Sequence, residues 1–442
     1  MVRRAPVWLL LSGLVSGCTC GSKQASSPDS GAASPVVPSS AATQPALPLP
    51  SDLGVFSAPI AAARGDGVDI VAGLVVSAGV LRVMGLSGGH ATWTADALRD
   101  VAWAPDADLR LQAAPGGVAL VWRGPHAGKT ARTMVVLGPH GEAREAPVEI
   151  GSAFCVTTAG VVWLDARSAG PARVLARGWS DSTARPLTSV SADRDPALVC
   201  ADHDVIVLGD GDDDLTATTV TAGDAAAHAS VVAVRDADFG DDEEREHDAY
   251  SFGDDLGVVR VAASGAVAMR EVPRGGGPTP WRKLKHTIPA DDDVVAVDGD
   301  AESTVIVYTE DSDDTCPGVG ATAESVHALK VVRKTGEETL FDLAPADCDR
   351  APGPLWVAAS TAGVAVGWVE RRTKSSPQAP PITGAAFRVL LAAGPKPYHV
   401  DLAADAVVDT GCDTQACSIA ALLRPAGGDA MQPGLLAVYA YP

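Results

Sequence analysis

The sequence feature that most constrains the fold is a hairpin pattern that recurs along most of the chain. Each copy is a short apolar run, a tight polar or glycine-containing turn, and a second apolar run that often ends in an aromatic residue. Clear copies occupy residues 109–122, turning at Gly117, and residues 356–368, turning at Gly363. Valine-rich runs of about 4 to 8 residues bounded by Gly, Asp and Pro are typical of buried strands joined by hairpins. The chain is therefore predicted to be all-β.

Further copies of the hairpin share the same order of apolar run, turn and apolar run. They occupy residues 68–84, 153–163, 197–208, 294–308 and 406–423. In the three copies that end in tryptophan, at Trp122, Trp163 and Trp368, the tryptophan follows the turn glycine by an odd number of residues. Because side chains of a strand alternate with a period of 2, these tryptophans are predicted to fall on one face of their sheets.

The spacing of the hairpins predicts a β-propeller. The first four copies begin about 40 to 45 residues apart, which is the length of one four-stranded blade. Between residues 208 and 294 the interval doubles, so counting it as one decorated blade gives seven blades and counting it as two gives eight. We predict a β-propeller of seven blades, with eight blades or tandem β-sandwich domains as alternatives. A closed ring also protects its strand edges.

The N-terminus has the parts of a secretory signal. Arg3 and Arg4 precede an apolar stretch over residues 5–15, and Ser16 and Gly17 precede Cys18. The apolar stretch is too short to span a bilayer, which needs about 20 residues. Residues 15–18, Val-Ser-Gly-Cys, resemble the lipobox of bacterial lipoproteins. The resemblance implies that residues 1–17 are removed and that Cys18 carries a lipid anchor, with the ordinary signal peptide as the alternative.

The segment after the cysteine predicts a tether. Residues 18–52 are rich in Ser, Ala and Pro and have few large apolar side chains, so we expect them to be disordered. Residues 53–442 then form the propeller-like domain, with an acidic insertion at about 209–250. Since Thr19 rather than Asp follows the cysteine, the resemblance to enteric lipoproteins implies the outer membrane. The domain is expected outside the cytoplasm.

The charge of the chain excludes one class of partner. The formal net charge is −21, and the acidic residues are clustered, as in residues 210–214, 241–246 and 291–293. Binding to phosphate groups requires stripes of Lys and Arg, and the sequence has none. We therefore expect no nucleic acid partner and no direct docking on anionic lipid; contact with the membrane is expected through the N-terminal lipid.

Six cysteines follow Cys18 and Cys20, an even number consistent with three disulfides in an oxidising compartment. Six cysteines allow fifteen connectivities. The repeats favour three pairs, which are Cys155 with Cys200, Cys316 with Cys348, and Cys412 with Cys417. Cys155 and Cys200 occupy matching places in consecutive repeats, so their bond would join neighbouring blades. A zinc site is the alternative, but the spacing does not favour it.

Calcium is the one ligand that the sequence indicates, and no other cofactor is expected. Asp236, Asp238, Asp241 and Asp242 are closely spaced around a glycine, and Ca²⁺ takes six to eight oxygen ligands from such loops. The run resembles the aspartate loops of calcium-binding propellers, with Gly and Asp in exchanged places. A plain acidic loop is the alternative.

The motifs of common enzyme classes are missing from the sequence. It contains no Gly-x-Ser-x-Gly, no His-Glu-x-x-His and no glycine-rich phosphate loop. His203 and His247 each lie between two acidic residues, a common arrangement on surfaces. The predicted function is a membrane-anchored binding or scaffold module for an envelope protein or glycan. The alternative is a hydrolase acting on an envelope or extracellular polymer.

Overall fold

The structure is a computed structural model of the 442-residue chain. It describes residues 42–43, 47–48, 56–87, 90–165, 172–190, 197–201, 203–210, 215–221, 244–252, 255–274, 276–289, 292–300, 302–315, 322–348, 350–360, 363–372, 382–391, 394–401, 407–412, 417–423 and 435–441. These residues form 31 β-strands and one short 3-10 turn, Val76–Ala78.

The strands form antiparallel units that follow one another along the chain. Unit 1 contains β3 (Ser57–Gly65), β4 (Val68–Val75), β5 (Val80–Ser87) and β6 (His90–Arg99). Unit 2 contains β7 (Asp108–Ala114), β8 (Gly117–His126) and β9 (Lys129–Leu137). Unit 3 contains β10 (Val148–Val156), β11 (Gly160–Asp165), β12 (Ala172–Gly178) and β13 (Arg185–Val190). Unit 4 contains β14 (Ala197–Cys200), β15 (Asp204–Asp210) and β16 (Leu215–Thr221).

The second half of the chain repeats the arrangement. Unit 5 contains β17 (Glu244–Phe252), β18 (Asp255–Ala262), β19 (Ala266–Val272) and β20 (Arg282–Thr287). Unit 6 contains β21 (Asp293–Gly299), β22 (Ser303–Thr315), β23 (Thr322–Val332) and β24 (Glu338–Ala344). Unit 7 contains β25 (Arg350–Ser360), β26 (Gly363–Arg372), β27 (Ile382–Leu391) and β28 (Gly394–Asp401). Unit 8 contains β29 (Val407–Cys412), β30 (Cys417–Leu423) and β31 (Leu435–Tyr441).

The first strands of the units lie side by side and close a ring. From β3 to β25, the first strand of each unit contacts that of the next, and β29 of unit 8 contacts β3 of unit 1. A ring of antiparallel sheets with such a radial repeat is the architecture of a β-propeller. The predicted all-β propeller fold is confirmed.

The predicted number of seven blades is not confirmed. Four of the sheets have four strands, and units 2 and 3 together make one seven-stranded sheet. In that sheet β10 begins beside β9, with Val148 opposite Met134, and continues beside β11. When this sheet is divided at β10, the described strands make eight units. The stretch from the start of the copy at residue 197 to residue 287 holds the two separate units 4 and 5.

The core lies between the units. Seven clusters of buried side chains fill the junctions from units 1 and 2 to units 6 and 7, and the junction of unit 8 with unit 1. In β8, Val118, Leu120 and Trp122 face unit 1, whereas Ala119 and Val121 face unit 3. Because both faces are buried, the sequence of such a strand is a continuous apolar run rather than an alternating one.

The three repeat tryptophans confirm the prediction of a shared face. Trp122 packs towards unit 1, Trp163 towards unit 2 and Trp368 towards unit 6, so each faces the unit before its own. All three are at most 2% exposed. The odd number of residues from the turn glycine to the tryptophan therefore indicates which face of the hairpin packs against the preceding unit.

The first hairpin shows how local sequence sets the turns. Between β3 and β4, Asp66 has φ 52° and Gly67 has φ 73°. Two successive residues with positive φ make the turn whose twist matches a two-residue hairpin, and Asp-Gly is among the pairs that adopt it readily. The turn fixes the register, in which Gly65 lies opposite Val68 and Arg64 opposite Asp69.

Arginine side chains link neighbouring units. Arg177 of β12, which is 6% exposed, pairs with Glu145 from the segment before β10, with 2.6 Å between Nη1 and Oε2. Arg274, which follows β19, pairs with the buried Asp204 of β15, with 2.7 Å between Nε and Oδ2. Each pair places an opposite charge beside a buried one, which is the Arg177 guanidinium in the first pair and the Asp204 carboxylate in the second.

Two short strands precede the ring. β1 (Ala42–Thr43) pairs with β28 in parallel, and β2 (Leu47–Pro48) pairs with β31 in an antiparallel sense. These four residues belong to the segment that the sequence predicts to be disordered, and the disorder of that segment stays a prediction. Leu47 lies opposite Val438, so β2 supplies the outer strand of unit 8. None of the described residues forms a helix long and apolar enough to cross a membrane.

Candidate functional site

The predicted disulfide between Cys155 and Cys200 is confirmed. The two sulfur atoms are bonded, and the Cα atoms are 5.4 Å apart. Cys155 lies on β10 and Cys200 at the end of β14, so the bond joins the first strands of units 3 and 4. Gln112 of unit 2 accepts a hydrogen bond from the Val156 amide at 2.9 Å and lies 3.9 Å from the Cys200 sulfur. Three units therefore meet at this bond.

The other predicted site residues are only partly described. Cys348 is disulfide-bonded, whereas Cys316 lies outside the described residues. The register of β29 and β30 places the Cα atoms of Cys412 and Cys417 directly opposite each other. Cys18 also lies outside the described residues, and so do the four residues of the predicted calcium site, Asp236, Asp238, Asp241 and Asp242. Lipidation and calcium binding stay predictions.

The two histidines noted in the sequence lie in different settings. His203 is in the turn between β14 and β15, where its Nδ1 is 2.5 Å from the Thr158 hydroxyl. Its neighbour Asp204 is directed to Arg274. His247 lies on β17, opposite Arg260. The structure does not bring these two histidines together in one site.

A group of reactive polar side chains in mutual contact lies on unit 6, on the face towards unit 5. We call it the His327 cluster. Its members are His286 of β20, Tyr308 and Glu310 of β22, Ser325 and His327 of β23, and Asp342 of β24. The strand register places Tyr308 opposite His327, His327 opposite Asp342, and Glu310 opposite Ser325. Cross-strand neighbours project from the same face of a sheet, which brings these side chains together.

His327 stands at the centre of the cluster. Its Nδ1 is 3.0 Å from Asp342 Oδ1, and its Nε2 is 2.8 Å from Ser325 Oγ and 3.2 Å from Glu310 Oε2. Ser325 Oγ also donates to the main-chain oxygen of Glu310 at 3.2 Å. The His327 side chain is 13% exposed, while those of Glu310 and Asp342 are 51% and 80% exposed. The imidazole is therefore held by groups that reach solvent.

Tyr308 forms the buried side of the cluster. Its ring stacks on His327, with centroids 5.2 Å apart and 24° between the planes, and its hydroxyl is 3.0 Å from His286 Nε2. Burial raises the pKa of Tyr308 to about 12, with smaller contributions from the charges of Asp292, Glu310 and Asp342. The phenol therefore stays neutral at physiological pH.

The chemistry available to this cluster is proton transfer. A serine hydroxyl within hydrogen-bond distance of an imidazole, which is itself oriented by a carboxylate, is the arrangement of an activated nucleophile. Metal binding has less support, because no group of three or more His, Cys, Asp and Glu side chains among the described residues is placed to hold a metal ion.

Sequence reasoning missed this cluster. Its one local signal is Ser325-x-His327, which places both side chains on the same face of a strand, and so short a pattern is common by chance. Glu310 and Asp342 each lie 15 residues from their partners in the cluster. Only the register of β22, β23 and β24 brings them in. His286 comes from the neighbouring unit.

Comparisons with known proteins identify the fold and no family. No protein-family model and no curated protein matches the sequence. The chain is similar to the solved structure of a prolyl endopeptidase, with a TM-score of 0.51 and 12% identity over 85% of this chain and 55% of that one. This chain thus spans about half the length of the endopeptidase.

Two other similar structures are propeller domains. One is the β-propeller domain of the trilobed protease from Pyrococcus furiosus, with a TM-score of 0.47 and 10% identity over 76% of this chain and 95% of that one. The other is the WD40 domain of SCAP from fission yeast, with a TM-score of 0.47 and 10% identity over 88% and 95%. At such low identity a likeness is limited to the fold. The ring of sheets described above makes this chain an all-β protein of the β-propeller fold.

Proposed function

We propose that this protein is a lipid-anchored binding or scaffold module of a bacterial envelope, acting through its β-propeller. Residues 1–17 are the signal peptide, Cys18 carries the lipid, and the propeller domain, residues 53–442, lies outside the cytoplasm, at the outer membrane. Each of the eight units is one blade. The ligand is an envelope protein or glycan, and neither nucleic acid nor a resident cofactor is required.

The observation that carries the proposal is the Cys155–Cys200 disulfide. Disulfides persist in oxidising compartments and are rare in the cytosol. The bond is buried, with Cys155 0% and Cys200 3% exposed, so it belongs to the folded interior rather than to a reactive surface. Such a bond agrees with the export that the lipobox-like residues 15–18 imply.

Rigidity of the ring supports a binding role. The units are joined by apolar clusters, by the disulfide and by the ion pair of Arg274 with Asp204. A ring joined in this way holds its turns in fixed relative positions. Ligand contacts are more precise when loops are carried by a rigid scaffold, because little ordering entropy is then lost on binding.

Crosslinking in native membranes tests both parts of the proposal. The full chain and two variants, Cys18→Ser and Cys20→Ser, are expressed in the source cells, and the crosslinked species are isolated and identified. We expect wild type and Cys20→Ser to stay in the membrane fraction and to yield the same envelope partner. Cys18→Ser should be released, because two acyl chains make anchoring stable and their loss removes it.

Two outcomes would contradict the proposal. Membrane retention of Cys18→Ser would show that Cys18 is not the anchor, and Cys20→Ser controls for the loss of any thiol in this segment. If the anchored protein yields no reproducible envelope partner, the binding role fails even when the anchor holds.

The alternative function is a hydrolase acting on an envelope or extracellular polymer. One observation favours it, which is the hydrogen-bonded series of Ser325, His327 and Asp342.

A further inference from the structure

We propose that Ser325, His327 and Asp342 form a nucleophilic acyl-transfer site for carboxylic esters, which Glu310 holds in a resting state. This site lies on the blade of unit 6 and is independent of the lipid anchor and of partner binding. It gives the hydrolase alternative a location and a reaction class.

The distances fit the roles. General base catalysis needs donor and acceptor atoms within about 2.6 to 3.2 Å. Ser325 Oγ lies 2.8 Å from His327 Nε2, and His327 Nδ1 lies 3.0 Å from Asp342 Oδ1. Asp342 accepts from the Nδ1 hydrogen, which leaves Nε2 as the nitrogen that faces the serine. Asp342 therefore fixes Nε2 as the nitrogen of His327 that acts as the base.

The supporting structure is rigid. All three residues lie on neighbouring strands of one four-stranded sheet, with His327 and Asp342 directly opposite each other. The ring of Tyr308 stacks on the imidazole from the buried side. Tyr308 is a positioning residue, because it fixes the plane of the imidazole. Sites built on strands hold their geometry better than sites built on loops.

Glu310 explains why the site is at rest. Its carboxylate lies 3.2 Å from the same Nε2 that the serine needs. A ring nitrogen that donates a hydrogen to a carboxylate cannot at the same time accept the hydrogen of a hydroxyl. In this state Ser325 donates to the main-chain oxygen of Glu310 instead. Because the Glu310 side chain is half exposed, it turns into solvent when an ester enters, and the Nε2 proton passes to water as it leaves, so that Nε2 can act as the base.

The reaction balances with water as the second substrate. Ser325 Oγ bonds to the carbonyl carbon of the ester while its proton passes to His327 Nε2. The carbon–oxygen bond to the alcohol then breaks, and the alcohol leaves with that proton. Water, giving a proton to Nε2, attacks the acyl-serine, and the acid departs as Ser325 regains its hydrogen. No oxidant or other reactant is needed.

A fluorophosphonate probe tests the site on the full-length protein. The probe transfers its phosphonyl group to an activated serine with loss of fluoride, and peptide mass spectrometry locates the adduct. We expect an adduct on Ser325. His327→Gln and Asp342→Asn should slow its formation by ~100-fold or more, the usual contribution of a general base. Since Asp342 is 80% exposed, its variant tests the same role even if His327→Gln does not fold.

Glu310→Ala separates the proposed restraint from a purely structural cluster. Removing the carboxylate frees Nε2, so Glu310→Ala should be labelled several-fold faster than wild type. Asp311→Ala, which removes the next carboxylate along the strand, should match wild type. Ser251→Ala should match it too, because this serine of β17 donates to the main-chain oxygen of Cys200 and lies outside the His327 cluster. The proposal is overturned if Ser325 carries no adduct, if labelling is as fast in Asp342→Asn, or if Glu310→Ala is not faster. None of these outcomes depends on membrane release of Cys18→Ser.

Discussion

Single buried residues reach across the junction of units 5 and 6. The Tyr250 hydroxyl of β17 forms a hydrogen bond with the Thr304 hydroxyl of β22, and both residues are fully buried. Gly257 and Gly299 leave room for the tyrosine ring, because a Cβ on either would lie within 3 Å of it. The Arg333 guanidinium lies 3.5 Å from the centre of the Phe252 ring. The large tyrosine side chain can be buried here because the two glycines leave room for its ring and the threonine hydroxyl gives its hydroxyl group a hydrogen-bond partner.

Two buried tyrosines make stability sensitive to alkaline pH. Burial raises the pKa of Tyr250 well above its usual value and that of Tyr308 to about 12. The unfolded chain loses these protons near pH 10 and the folded chain later, so the contribution is complete below pH 10 and is lost as pH rises towards the folded pKa. The free energy of unfolding should fall by about 1 kcal/mol through Tyr250 by pH 11 and by less through Tyr308, whose surroundings are partly screened by solvent.

Urea unfolding of wild type, Tyr250→Phe and Tyr308→Phe at pH 8, 10 and 11 measures this effect. Each variant should show a shallower fall between pH 10 and pH 11 than wild type. A fall of the same size in Tyr250→Phe would show that other groups cause it.

At the scale of the element, each unit contains one copy of the hairpin repeat. The packing of one unit against the next decides which side chains come into contact. The odd spacing from turn glycine to tryptophan was sufficient to predict that Trp122, Trp163 and Trp368 share a face. Matching places in consecutive repeats were sufficient to predict the pairing of Cys155 with Cys200. Both inferences use only period and order, which a single sequence carries.

The disulfide between the first strands of units 3 and 4 should contribute strongly to stability. It closes a loop with a sequence separation of 45 residues, for which loss of chain entropy in the unfolded state corresponds to about 4 kcal/mol. The double variant Cys155→Ala/Cys200→Ala should lose about 2 to 4 kcal/mol in guanidinium unfolding. Cys20→Ser is the matched control and should keep the wild-type value. A loss below about 1 kcal/mol would mean that packing alone joins these units.

The alignment of neighbouring strands and the number of units could not be predicted from the sequence alone. Glu310 and Asp342 meet the Ser325-x-His327 pair only because β22, β23 and β24 align as they do, and many alignments suit apolar runs of similar composition. The preferred number of seven blades is not confirmed, because the stretch that begins at residue 197 holds the two separate units 4 and 5. The alignment of these strands is determined by packing throughout the ring and not by the sequence of any single segment.

The whole molecule is a ring closed by its first and last units. Phe56 and Ile60 of the first unit pack with Ala420 and Leu422 of β30, and β29 contacts β3. Closure removes the exposed edges that an open row of sheets would have at its ends. The same junction brings together residues from near the two ends of the chain, so closure depends on contacts between residues far apart in sequence.

Truncating Phe56 should weaken this closing junction. The residue is fully buried, and its ring fills the space beside Gly73, where a Cβ would approach it to 2.4 Å. Phe56→Ala should lower the free energy of unfolding by about 3 to 5 kcal/mol. Leu340→Ala, at a position that is 44% exposed, should change it by less than about 1 kcal/mol. Equal losses in the two variants, measured by thermal and guanidinium unfolding, would show that the junction is not specifically weakened.

The pairing of β2 with β31 has a mechanical consequence if the N-terminus is tied to a membrane. Any pull along the N-terminal segment arrives first at β1 and β2, which pair over two residues each at the outer edges of units 7 and 8. Such short pairings yield before the longer ladders of the units. Force would therefore release the four paired residues of β1 and β2 while the ring keeps its shape. Under load, the short pairings of β1 and β2 would separate first and would protect the folded ring from unfolding.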